Sequence, residues 1–213
     1  MDPIMFKIFV CLAFPISLMM LAIRGKVRTQ MLFLLFGLTA GLLAGIINTT
    51  ILTATGVSRF YLTVNYSPVI EEMLKALPLL VFAFGKKPEK QSLLEAAISC
   101  GIGFAIFENT CLFGQRGEEI TMFVAVMRGI GSGMMHSICT VLVAYGISLF
   151  VKHKKWFFPG TVAILILATN YHSLYNILIQ SKYLYLGVVL TTVGYAATLT
   201  VMYLKKRHRQ AVQ

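Results

Sequence analysis

Apolar runs of membrane-spanning length recur along the chain, at residues 1–23, 31–52, 67–84, 91–114, 120–150, 160–180 and 183–204, with short polar connections between them. About 20 helical residues cross the hydrocarbon core of a bilayer. The pattern therefore predicts an all-α membrane protein, a polytopic helical bundle of about seven transmembrane helices. The first run lacks a strongly basic start and a small-residue cleavage site, so it is expected to remain as a helix. In the second, Gly37, Gly41 and Gly45 recur every four residues along one face, a spacing that lets helices pack closely. Residues 53–67 read as a polar and aromatic connection, with Phe60, Tyr61 and Tyr66 suited to a membrane interface. Pro68 fits the first turn of the third helix. The fifth run is long for one span, and its Gly129-Ile130-Gly131-Ser132-Gly133 is expected to break or bend it. Trp156, Phe157 and Phe158 are expected to anchor the fifth loop at the interface. With no internal repeat and no low-complexity linker, residues 1–213 read as a single integral membrane domain.

Composition sharpens the class. Of the 213 residues, 57% are hydrophobic and 13% charged, too little polar surface for a soluble domain of this length. A net charge of +11 could suggest nucleic acid, but its placement excludes that partner. Thirteen of the 19 basic residues fall in the first, third and fifth loops and the C-terminal tail. The opposite side carries Arg59, Arg116 and Lys182, and the spans carry Lys7, Lys75 and Arg128. The positive-inside rule then puts the N-terminus outside and the C-terminus in the cytoplasm of a cell membrane. Many Lys and Ile residues with little Asp suggest a bacterial source. Cys11, Cys100, Cys111 and Cys139 lie in apolar runs without ligand spacing and read as reduced core residues.

The third run carries the chemistry. Glu71, Glu72 and Lys75 interrupt an otherwise apolar helix, at an insertion cost of about 2.5–3.5 kcal/mol each. Glu71 and Lys75 are about 40° apart on a helical wheel, and Glu72 lies about 100° round from Glu71. Glu108, His136 and His172 recur at similar depth in later spans, in the outer half of the membrane on this topology. Several membrane-protease chemistries are ruled out. The only aspartate is Asp2, so no aspartyl pair exists, and there is no H-E-x-x-H helix. A Ser132–His172 pair is conceivable, but Ile130-Gly131-Ser132-Gly133 lacks the first glycine of the rhomboid G-x-S-G pattern. What remains is a glutamate able to take a proton from water, with His or Asn groups as donors to the oxyanion.

Four motifs in order, Glu71-Glu72-x-x-Lys75, Phe104-x-x-x-Glu108-Asn109, mid-span His136 and His172-x-x-x-Asn176, resemble the set of the PrsW family. That family is similar in turn to the CAAX-processing prenyl proteases (CPBP superfamily). Lys75 in place of Arg, and Glu108 in place of His, favour the former. The resemblance covers residues 67–177, the expected catalytic core. It implies a glutamic-type intramembrane endopeptidase, with Glu71 or Glu72 as general base and the other as buried salt-bridge partner. His172 would bind the water or polarise the carbonyl, and Asn176 would donate to the oxyanion. Glu108 would share a proton, orient a histidine or pair with Lys75, with Asn109 and Arg128 in support. The implied substrate is a single-pass membrane protein, an anti-sigma factor, cut on its extracytoplasmic side in a signalling cascade.

Plainer readings stand beside this one. Glu71, Glu72 and Lys75 form a structural ion pair in one, and His136 is a packing histidine. Arg128 and Glu95 read as structural or interfacial, and the basic C-terminus as a topology signal with lipid contact. Glu71 or Glu72, Glu108, His136 and His172 have zinc-ligand types, but helical spacing does not show that they converge, and no cofactor is expected. The rival functions are a prenyl-protein protease, an ion-coupled carrier, which would normally show duplicated halves, and a non-catalytic scaffold.

Overall fold

A computed structural model describes residues 3–116, 120–151 and 154–211. Asp2, Glu118, Glu119 and Lys152 lie outside the described residues, as do the side chains of Lys154 and of the basic run from Lys205 to Arg209. The elements are α1 (Pro3–Ala22), α2 (Gly25–Thr55), a short turn α3 (Arg59–Tyr61), a π-helical segment (Leu62–Tyr66), α4 (Ser67–Lys86), α5 (Lys90–Arg116), α6 (Met122–Phe150), α7 (Lys154–Ile179) and α8 (Leu184–Ala211). No strand occurs among the described residues. Among the described residues six helices, α1, α2, α5, α6, α7 and α8, are long and apolar enough to cross a membrane. The 20-residue α4 is about 30 Å long, enough to span a hydrocarbon core. It falls outside that group because Glu71, Glu72 and Lys75 interrupt its apolar run.

The packing runs α1 on α2, α2 on α5, α5 on α6, and α6 on both α7 and α8, while α4 lies against α2, α6 and α7. Glycine brings the backbones together. A Cβ on Gly37 would strike the Cys100 carbonyl of α5, and one on Gly103 would strike the Leu34 carbonyl of α2. A Cβ on Gly101 would lie 2.7 Å from the His136 backbone, so α5 also sits close against α6. The largest apolar cluster joins α2, α4, α5, α6 and α7 through Phe33, Leu79, Cys100, Met135, Ala144 and Tyr175. Leu21, Val81 and Phe158 face outward, as lipid-facing side chains do.

Cys100, Cys111 and Cys139 are buried as expected but Cys11 is exposed, and three further sequence expectations are corrected. The glycine-rich stretch does not break α6, which is one helix from Met122 to Phe150. Gly131 abuts the Tyr175 hydroxyl and Ser132 bonds to α5, so tertiary contacts override the weak local propensity. Residues 53–67 are mostly helical: α2 continues to Thr55 and ends on Gly56 in the left-handed conformation. Finally, Trp156, Phe157 and Phe158 lie within α7 rather than in a loop before it.

The π register stops at Pro68. In that register the Ser67 N–H reaches back five residues to the Leu62 carbonyl. The next donor in the series would be the N–H of residue 68, which proline lacks. The Thr63 carbonyl is thereby left open to a partner from another helix.

Candidate active site

Glu71, Glu72 and Lys75 occupy the first turns of α4, and all three are buried. Lys75 Nζ donates to Glu72 Oε1 at 2.7 Å and lies 3.0 Å from His136 Nδ1 on α6. An ammonium has donors only, so Nδ1 accepts and the proton of His136 sits on Nε2. That nitrogen is 3.0 Å from Glu108 Oε2 on α5, which also accepts from Ser132 Oγ at 3.2 Å. Arg128 closes the far end, 3.6 Å from Glu108 Oε1 and donating to Asn109 Oδ1 at 3.3 Å. On the other side, His172 Nδ1 of α7 is 2.8 Å from Glu72 Oε1, so it carries the proton that the carboxylate accepts. Its Nε2 then presents a lone pair 3.6 Å from Glu71 Oε2. The Phe104 ring packs 4.6 Å from the His136 ring, with Lys75 Nζ 4.9 Å from its centroid.

The two glutamates thus differ in kind. Glu72 is fully enclosed, with Lys75 and His172 both on Oε1. Glu71 lines a cavity of about 480 Å³; among the described residues its one hydrogen bond is long, 3.5 Å from Asn48 Nδ2 of α2, and its Oε2, like that of Glu72, is buried without a partner. Shared helical face pairs Glu71 with Lys75; in the structure Lys75 takes Glu72, three residues away, as its carboxylate. Glu108, Arg128 and Asn176 also line the cavity. Asn176 Nδ2 donates to the open Thr63 carbonyl at 2.9 Å, and Gln180, one turn on, exchanges hydrogen bonds with the Thr63 hydroxyl. Asn109 is buried behind Arg128. Ser132 turns to Glu108 while His172 is held by the α4 glutamates, so the serine–histidine pair does not form.

Asn48, Thr63, Gln180 and the Ser132–Glu108 bond escaped sequence reasoning. Asn48 carried a signal, as a polar side chain one turn beyond Gly45 in an apolar run. Thr63 and Gln180 carried none, because each sits in what reads as interfacial polarity.

One atom each from Glu71, His136 and His172 lies within 4.8 Å of the other two. Two histidines and a glutamate are the ligand set of a common zinc-hydrolase site. The unpartnered Glu71 Oε2 and the lone pair on His172 Nε2 are two ready donors, while His136, whose Nε2 carries a proton, would supply the third by giving up its Nδ1 contact with Lys75. In chemistry these residues fit a divalent ion, and bonds of about 2.0–2.2 Å would draw them closer.

Fold and site together define a multi-pass helical membrane protein whose polar groups converge inside the bundle on a water-sized chemistry of carboxylates and imidazoles. The model of a family described as "PrsW family intramembrane metalloprotease" matches residues 26–204, and the chain belongs to that family. No curated protein and no solved structure matches it.

Proposed function

We propose that the protein hydrolyses a peptide bond of a single-pass membrane protein on the extracytoplasmic side of a bacterial cell membrane, with the catalytic core at residues 67–177. The observation that carries this reading is the unpartnered, buried Glu71 Oε2 on the cavity wall, facing the His172 lone pair. Water entering there can donate to both acceptors, leaving its oxygen lone pair for attack. Glu71 takes the proton as the oxygen bonds to the carbonyl carbon. The protonated Glu71 then gives it to the leaving nitrogen as the C–N bond breaks. Asn176 keeps a second amide proton, beside the one given to Thr63, for the oxyanion. Glu72 and Lys75 fix the His172 and His136 rings.

The family description favours a second version, in which Glu71, His136 and His172 hold a metal ion. When bound, the ion would supply a more acidic water and a polarised carbonyl. Glu108, the other carboxylate on the cavity wall, would then be the proton acceptor. Resemblance to the PrsW family supports an anti-sigma factor as the substrate. The prenyl-protease, carrier and scaffold alternatives gain nothing from the family match.

Elemental analysis of the purified protein, with cleavage assayed before and after chelation, separates the versions. The metal version predicts about one bound divalent ion per chain, lowered in His172→Ala, and cleavage lost on chelation and restored by zinc. Cleavage by a metal-free, chelator-resistant protein would leave Glu71 as the base. Cleavage undiminished in Glu71→Gln would contradict both.

A further inference from the structure

Basic residues are disfavoured on the extracytoplasmic side of membrane proteins. At the end of the bundle assigned to that side the chain has Arg59, Arg116 and Lys182. Two of the three line the cavity that Glu71 and Glu108 floor: Arg59 in α3 and Arg116 at the end of α5. Both are exposed, and among the described residues, which do not include the Glu118 and Glu119 that follow Arg116, no acid pairs with either. Lys182 instead lies over the Tyr183 ring, away from the cavity lining. Deeper in, Arg128 is already engaged by Glu108 and Asn109. A cation in the last turn of α5 has a helix-dipole reason to be there. Arg59, in a three-residue helix, has no such reason.

We propose that Arg59 and Arg116 form a subsite for an acidic side chain of the substrate, so that the peptide cut here carries Asp or Glu on the outer flank of the scissile bond. The inference rests on the protease reading and adds to it a substrate class. Charge complementarity at a wet rim steers and selects more than it tightens. Two partly exposed ion pairs correspond to a preference of about fivefold. Added salt should shrink that preference, as it does for exposed charges.

The test uses the full-length protein in neutral phosphatidylcholine bicelles. It receives a pool of single-pass peptides that share one apolar span and differ in a flank drawn from Ala, Ser, Asp and Lys. Product sequencing should show acidic flanks cut about fivefold faster than neutral ones, with Glu71→Gln as the inactive control. Arg59→Gln/Arg116→Gln should flatten the preference while still cutting neutral flanks, and Arg59→Glu/Arg116→Glu should invert it towards Lys. Lys182→Gln should leave it unchanged. Glu71-dependent cutting with no acidic preference in the wild type would overturn the subsite and leave the protease standing. Cutting that depends on the two arginines only when anionic lipid is added would assign them to lipid and overturn it too. No Glu71-dependent cutting would remove the protease reading and the subsite with it.

Discussion

Glu72 Oε1 accepts from Lys75 and His172 together, inside a bundle where water does not reach it. Removing one partner of such a pair leaves a buried charge alone, at about 3–5 kcal/mol. Lys75→Met should therefore lower the thermal midpoint in detergent sharply. Glu71→Gln, which disturbs only a 3.5 Å contact with Asn48 and a 3.6 Å approach to His172, should unfold near the wild-type temperature yet not cut. A stable Lys75→Met or an unstable Glu71→Gln would reverse the roles given to the two positions. The sequence shows that both carboxylates and the lysine are costly in lipid, and so that they matter. It does not show which carboxylate meets the lysine. Positions three and four apart are both neighbours on a helix, and the choice is made by the histidines of α6 and α7, far along the chain.

Helix ends and crossings decide how these residues meet. Asn176 supplies the donor that Pro68 cannot give to Thr63, tying α7 to the segment that leads into α4. Asn176→Leu should cost about 1–3 kcal/mol for the orphaned carbonyl. Adding Pro68→Ala, which restores an N–H at that point of the ladder, should recover part of the loss in thermal midpoint. No recovery would mean that Asn176 is held for another reason. Glycine packing gives a paired test. Gly37→Ala pushes a methyl into the α5 backbone and should destabilise by about 1–3 kcal/mol. Gly133→Ala meets nothing within 4 Å and should be neutral or stabilising by up to about 1 kcal/mol in thermal unfolding. The four-residue glycine spacing in α2 was legible as a packing stripe. The glycines of α6 looked like a break because local sequence does not reveal what holds a helix straight. The π segment was hidden for a similar reason: Pro68 announces a helix start, and here the chain enters α4 already coiled.

At the scale of the molecule, the apolar runs mark all seven long helices, and the charges of α4, which keep it out of the group apolar enough to cross a membrane by composition, mark the one that carries the site. The order of the motifs along the chain foretold which helices would meet, since α4, α5, α6 and α7 each bring one polar group or more to the cluster. Their distances depend on crossings such as Gly101 against His136, which no spacing along one helix encodes. The proposed orientation puts Arg59, Arg116 and Gln180, all on the cavity lining, on the outer side, where substrate should be cut. The most direct measurement compares membrane and secreted N-terminal peptides from cells carrying the wild type or Glu71→Gln at matched protein levels, at rest and under envelope stress. New N-termini close to the outer membrane boundary of a single-pass protein, present with the wild type and absent with Glu71→Gln, are the predicted result. Identical peptide sets in the two strains under both conditions would contradict the account.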